Sequence, residues 1–251
     1  MVAGIEKFRE HFAGQEDQYV LIGGAACDLL FAEAGLEFRA TKDLDVVLCV
    51  EVVSSEFAKA FLDFIETGGY QARQQRDGHK EFYRFHKPED PAYPYMIELF
   101  SRRPEGLELP ADFSITRIPV DEEIISLSAI LLDNDYYETL RSSRITIDGV
   151  SLLNEELLIP FKAKAFLDLA ERRAAGEEIN SKTITKHRND VFRLIQLLTE
   201  DSRVEIPDAI RGDLRRFVDD IAQDETFDPR SFGVEISTDE GIAVLSRVYS
   251  L

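Results

Sequence analysis

The 251 residues carry 29 Lys and Arg against 48 Asp and Glu, a formal net charge of −19. That excess disfavours a long nonspecific grip on a nucleic-acid backbone, so a polyanionic partner has to be argued from a local basic patch. Hydrophobic residues at 44% and charged residues at 31% give a folded, globular composition; no apolar run approaches the roughly 20 residues of a bilayer span.

The N-terminal MVAGIEKFREHFAG has no apolar stretch ending at a small-residue cleavage site, so a cytoplasmic, non-membrane protein is expected. Within it Ile5, Phe8 and Phe12 fall at helical spacing, and Gly14 ends the segment. YVLIGG (19–24) is a short apolar run stopped by two glycines, and AACDLLFAEAG reads as the helix after it, closed by Gly35. LDVVLCV (44–50) is β-branched and continuous, as a strand covered on both faces would be. SSEFAKAFLDFIETGG (54–69) is an amphipathic helix with Ser54 or Ser55 as N-cap and a glycine pair at its end. Three strands follow, 70–75, 81–87 and 95–101, with Asp77-Gly78 as a hairpin turn between the first two. Cys27 and Cys49 have neither CxxC spacing nor His neighbours, so buried thiols are expected and a zinc site is not.

After about residue 120 the pattern becomes helical. Residues 122–140, 154–176, 183–200, 207–223 and 239–248 carry helical periodicity, interrupted only by RITIDGVSLL, where Asp148-Gly149 marks a turn. Pro160 either kinks the second of these helices or starts it. The expected class is α+β: a mixed-sheet core over 1–120, then a mostly helical domain over 121–251.

Chemistry concentrates in the first part. Asp43 and Asp45 are two apart, so an extended backbone turns both carboxylates to one face, with Leu44, Val46 and Leu48 on the other. Two adjacent acids at the entry of an apolar strand repel each other and resist desolvation; a divalent cation relieves both effects. The alternative for such a pair is a solvent-facing strand edge. Gly23-Gly24, between a strand and a helix, allows close backbone approach and opens a helix N-terminus suited to phosphate. Glu98, flanked by Ile97 and Leu99, either pairs with Arg102 or Arg103 or is a third carboxylate facing the same site, as metal ligand or as base. His11, His79 and His86 share no ligand spacing. No Ser-His-Asp arrangement occurs, and the Tyr and Phe content reads as core packing.

The glycine pair, the stretch RATKDLDVVL and the hydrophobic–Glu–hydrophobic strand together resemble the polymerase-β-like nucleotidyltransferase superfamily. In particular they look like the AbiEii/MenT group of type IV toxin–antitoxin nucleotidyltransferases, whose Arg-x-Thr-x-Asp-x-Asp stretch is matched by Arg39, Thr41, Asp43 and Asp45. ELLIPFKAKAFLDLAERR resembles the lysine-bearing helix of that group, and Lys186 to Asp190 its Lys-Asp-x-x-Asp pattern, with His187 in place of the first Asp. The likeness covers most of 19–198 and none of 200–251.

The resemblance implies transfer of a nucleoside monophosphate from an NTP to a hydroxyl, with Mg²⁺ or Mn²⁺ on Asp43, Asp45 and Glu98. It implies nucleotide binding by Gly23, Gly24, Arg39 and Thr41. Lys162 or Lys164 would contact the triphosphate, with Asp190 orienting the lysine or the acceptor; Lys162, set among apolar residues, is favoured. The helical domain would close over the nucleotide site. It further implies an RNA acceptor such as a tRNA 3′ end, for which Arg172, Arg173, Lys182, Lys186 and Arg188 could form a basic patch, and a small antitoxin partner. An aminoglycoside-type adenylyltransferase and a catalytically silent nucleotide- or partner-binding module are the rival readings.

Overall fold

Aromatic packing organises the sheet-bearing part of the chain. Phe8 of the first helix and Phe12 at its C-cap meet Tyr19 of the first strand and Phe57, Phe61 and Phe64 of the third helix, all fully buried, with ring centroids mostly 4.5 to 6.3 Å apart. The structure, a computed structural model, describes residues 2–41, 43–48, 54–77, 80–101, 116–117, 130 and 133–251. The fold is α+β and divides into two compact units, Met1–Val120 with Leu140–Asn154, and Asp121–Thr139 with Glu155–Leu251.

In the first unit the chain runs α1 (Ile5–His11), β1 (Tyr19–Ile22), α2 (Gly23–Glu33), β2 (Asp43–Leu48), α3 (Ser55–Thr67), β3 (Gln71–Asp77), β4 (Lys80–His86), β5 (Met96–Ser101), β6 (Thr116–Arg117), β7 (Arg144–Ile147) and β8 (Val150–Leu153). Among the described residues the sheet order is β6-β3-β4-β5-β2-β1-β8-β7. It is mixed: β2 pairs with β5 and β1 with β8 in parallel, whereas β1–β2, β3–β4, β4–β5 and β7–β8 are antiparallel. Ser54 caps α3, its side chain accepting from Phe57 N–H at 3.0 Å.

Three outcomes differ from the pattern read along the chain. The second helix begins at Gly23 rather than after the glycine pair. The hairpin at 144–153 does not merely separate two helices: Leu152 pairs with Leu21, and β7–β8 extend the sheet beyond β1. All four side chains of Val150–Leu153 are buried, and a run that short hides two faces only inside a sheet. Residues 140–154 therefore belong with the first unit, where the sequence predicts a single crossing at 120. Most of the predicted helix 122–140 lies outside the described residues, as do Cys49 and Gly78; its end forms α4 (Asn134–Ser142).

The second unit contains α5 (Glu155–Ala174), α6 (Ser181–Ile195), α7 (Asp208–Gln223), a 3₁₀ turn (Pro229–Phe232) and α8 (Thr238–Tyr249). Among the described residues no helix is long and apolar enough to cross a membrane. A capping box starts α8: Ser237 Oγ accepts from Glu240 N–H at 3.2 Å and the Glu240 carboxylate accepts from Ser237 N–H at 2.7 Å. Pro160 does not start α5 but lies inside it. Proline lacks the N–H that would bond the carbonyl four residues back, which is Glu156. Tyr249, fully buried at the end of α8, donates its hydroxyl to that carbonyl at 2.6 Å.

Removal of this donor leaves a buried carbonyl unpaired, so Tyr249→Phe is expected to cost about 1–3 kcal/mol in urea denaturation. The cost should shrink when Pro160→Ala restores the backbone N–H. Additive losses in the double variant would refute the coupling.

Candidate active site

The site begins with the alternation of β2. Leu44 and Val46 are buried on one face of the sheet; Asp43 and Asp45 are half-buried on the other. Asp45 stands opposite Ile22 of β1 and opposite Glu98 of β5, and Asp43 opposite Met96. Register partners in a sheet project to the same face, so the pairing β2–β5 sets Asp45 and Glu98 side by side.

Immediately after Ile22 the backbone turns into α2 at Gly23, whose φ of +69° favours a residue without Cβ. Sterics add a second demand. A Cβ at Gly23 would lie 1.8 Å from Asp45 Oδ2, and one at Gly24 would lie 2.6 Å from Thr41 Oγ1. The glycine pair thus seats the Asp45 carboxylate and the Thr41 hydroxyl directly against the backbone that opens the helix. Ile22, the N-cap, provides no side-chain cap and no acid occupies the first turn, so the positive end of α2 faces this acidic group. Arg39 lies with its guanidinium 5.1 Å over the Phe38 ring, which packs on Phe31.

Glu98 is buried, and its carboxyl hydrogen-bonds Asp45. Burial first, and then the adjacent Asp45 carboxylate, push its pKa well above the usual carboxylate range; Arg84 opposes the shift without cancelling it. Arg84, on β4, holds Glu98 Oε1 with Nε at 2.8 Å and Nη2 at 2.5 Å. Glu98 therefore faces the acids, as one of the two readings requires, and also carries an arginine partner, but from the neighbouring strand. Arg102 and Arg103 lie outside the described residues. Nothing in the linear spacing of residues 84 and 98 points to this pair; the antiparallel register of β4 and β5 creates it.

Asp43 and Asp45 fit a small hard cation: two carboxylates on one face, one pressed against Gly23, with a third acid whose ionisation burial and the Asp45 charge resist. Among the described residues, however, no three His, Cys, Asp or Glu side chains are grouped to hold a metal. Arg84 also holds one oxygen of Glu98, the acid that the sequence places third in the ligand set.

In the helical unit, Lys162 of α5 and Asp190 of α6 form a buried ion pair, Nζ to Oδ2 3.3 Å, with exposures of 6% and 0%. Arg193 Nη1 lies 3.3 Å from the other oxygen of Asp190. Lys164 turns elsewhere, to Asp213 of α7 at 2.9 Å, and Tyr136 and Arg216 meet the same carboxylate. Residues two apart on a helix cannot share a face, and the structure assigns Asp190 to Lys162. His187 is buried on α6. Of the five residues read as a basic patch, Arg172 is bound to Glu177 and Asp168, and Arg188 to Asp224 with its guanidinium 4.3 Å over the Phe227 ring. Arg173 and Lys182 are exposed.

Loss of Asp190 strands a buried ammonium, a defect that costs about 3 kcal/mol or more. Lys162→Met should cost clearly less, since Arg193 still covers Asp190. Urea denaturation of Asp190→Ala and Lys162→Met checks the order; equal losses would show that Arg193 does not share the carboxylate.

No family model matches the chain, and no curated protein matches it. Among solved structures the chain is similar to an antigenic nucleotidyltransferase-like protein from Paracoccidioides brasiliensis, at 15% identity over 99% of this chain and 95% of that one, with a TM-score of 0.48. It is also similar to the Cid1 poly(U) polymerase with MgGTP bound, at 12% identity, 90% and 67% coverage and a TM-score of 0.31. For a cytoplasmic RNA terminal U-transferase the values are 11%, 84%, 61% and 0.29. Overlaps below a TM-score of 0.5 leave the function to be argued from the side chains of the site itself.

Proposed function

We propose that this protein is a metal-dependent nucleotidyltransferase that moves a nucleoside monophosphate from an NTP to a hydroxyl acceptor. The observation that carries the reading is the Asp45 carboxylate seated against Gly23 at the opening of α2, with Asp43 on the same strand face and Glu98 directly opposite. Mg²⁺ or Mn²⁺ held by Asp43 and Asp45 would neutralise phosphate charge and polarise the reacting phosphoryl group. The glycine backbone suits phosphate oxygens, because no side chain stands between them and the first turn of the helix. Arg39 and Thr41, on the segment leading into β2, are the nucleotide-binding residues of this reading.

In the reaction the acceptor oxygen bonds to the α-phosphorus as the bond from that phosphorus to the pyrophosphate oxygen breaks. The acceptor proton passes to Glu98, and pyrophosphate leaves with the electron pair. Lys162 is the cation assigned to the triphosphate, and its pairing with Asp190 supports that choice over Lys164.

The acceptor is an RNA end, in the manner of the toxin–antitoxin enzymes that the Arg39-to-Asp45 stretch resembles, with a small antitoxin as partner. A second reading, a small-molecule adenylyltransferase of aminoglycoside type, is favoured by the internal commitment of Arg172 and Arg188 and by the net charge of −19. The silent-module reading has the intact acids against it.

Mg²⁺ with an NTP should raise the melting temperature by several degrees at saturating concentrations, through binding to the native state alone. Asp43→Asn with Asp45→Asn, and separately Gly23→Ala, should abolish the rise while the apo protein keeps its circular dichroism; an unchanged response in both would sink the reading. Incubation with α-³²P NTP and RNA, protein or small-molecule acceptors should label one class. Lys162→Ala should cut labelling far more than nucleotide binding. No labelling with any NTP, together with wild-type binding by Lys162→Ala, would instead favour the silent module. A DNA-binding antitoxin frame beside the gene would support the toxin setting.

A further inference from the structure

The likeness read along the chain stops near residue 198, yet the segment beyond it is bound to α6 on both sides of Asp190. Two residues before Asp190, Arg188 donates Nη1 to the Asp224 carboxylate at 2.7 Å and lies with its guanidinium 4.3 Å over the Phe227 ring. Two residues after Asp190, Phe192 meets the same ring edge-on, with centroids 4.7 Å apart. A Cβ at Gly241 of α8 would lie 2.4 Å from Phe192 Cε1, so close packing of that helix on the ring requires glycine there. Three residues after Asp190, the Arg193 guanidinium lies 5.0 Å over the Phe232 ring. The 3₁₀ turn that carries Phe232 is itself held. Asp228 caps it, its side chain accepting from Arg230 N–H at 3.1 Å, and Gly233 closes it at a φ of +84°.

These contacts bear on one carboxylate. Asp190 has no exposure and its oxygens are divided: Oδ2 lies 3.3 Å from Lys162 Nζ, and Oδ1 accepts from Arg193 Nη1 at 3.3 Å. A carboxylate held at one oxygen can turn about its Cβ–Cγ bond; held at both, its plane is fixed, and so is the point to which it draws an ammonium. A guanidinium binds carboxylates through its nitrogens while its flat face stacks on an aromatic ring, so one arginine can do both.

We infer that Arg193, seated on Phe232, is a positioning residue for Lys162 in the proposed transfer: by holding Oδ1 of Asp190 it fixes where Oδ2 sets the lysine's ammonium. The inference rests on the nucleotidyltransferase reading and on Lys162 as the cation assigned to the triphosphate. It gives the segment 224–241 a task, as a brace behind the Lys162–Asp190 pair. Without Arg193 the carboxylate can turn and offer both oxygens to Lys162, which draws Nζ back from a phosphate. Stabilisation of a transferring phosphoryl group depends on cations placed in advance, and a misplacement of about 1 Å can cost about 10²-fold in rate.

Two readouts on the full chain test this: kcat for label transfer from α-³²P NTP, measured well below the melting temperature and expressed per folded molecule, and the thermal shift with Mg·NTP. Arg193→Met should lower kcat by on the order of 10-fold, with the Mg·NTP shift kept. Phe232→Leu, which stays apolar but removes the ring face, should lower kcat several-fold; Phe232→Tyr, which keeps the face, should restore it. Because Phe232 acts through Arg193, the double variant Arg193→Met with Phe232→Leu should be no slower than Arg193→Met alone.

A brace that serves folding alone predicts otherwise. The variants would then melt lower, while kcat per folded molecule keeps its wild-type value in all of them. That result, or losses that multiply in the double variant, overturns the inference and leaves the transferase reading intact. Should Arg193→Met fail to fold by circular dichroism, the contrast between Phe232→Leu and Phe232→Tyr decides by itself. A wild-type protein that neither shifts with Mg·NTP nor transfers label removes the parent reading and this inference together.

Discussion

The parallel register of β2 and β5 forces two carboxyl groups, Asp45 and Glu98, into contact on one face of a sheet. Burial and the adjacent Asp45 charge both disfavour the ionised form of Glu98, whose carboxyl hydrogen-bonds Asp45. An arrangement of that cost persists only with compensation. The first unit supplies it from three sides: Arg84 on one flank, the positive end of α2 on the other, and a backbone at Gly23 that lets Asp45 approach it without a side chain between. A bound cation would be a fourth. The strand order, the glycine pair and the buried arginine thus answer a single electrostatic problem.

The helical unit solves a similar problem by different means. Asp190, with no exposure at all, is flanked by Lys162 and Arg193; Asp213, slightly exposed, receives Lys164, Tyr136 and Arg216. Asp190 thus has two cationic partners, whereas Asp213 shares Arg216 with Glu171. Burying charge in this way is weak support for stability by itself.

Much of the first unit was legible from local pattern. Alternation put Asp43 and Asp45 on one face, the glycine pair marked a close backbone approach, and an acid between Ile97 and Leu99 announced a constrained environment. What local pattern omits is register. Arg84 and Glu98 lie in separate strands, and only the offset between β4 and β5 brings them together. The same limit hid the placement of the hairpin at 144–153, whose apolar run looks equally suited to a short linker element and to a sheet. In the helical unit, spacing separated Lys162 from Lys164 but could not say which met an acid. It also presented Arg172 and Arg188 as surface cations, because a guanidinium that binds an acid five or thirty-six residues away looks the same in sequence as one that faces water.

Pro160 has a consequence for how the helical unit moves. A proline inside a helix deletes one rung of the hydrogen-bond ladder, and here the missing rung is replaced by the hydroxyl of Tyr249, from a helix that begins more than sixty residues after α5 ends. The turn of α5 from Glu156 to Pro160 is therefore tied to the end of α8 as well as to itself. Local opening at the end of α8 therefore also leaves the Glu156 carbonyl without this donor.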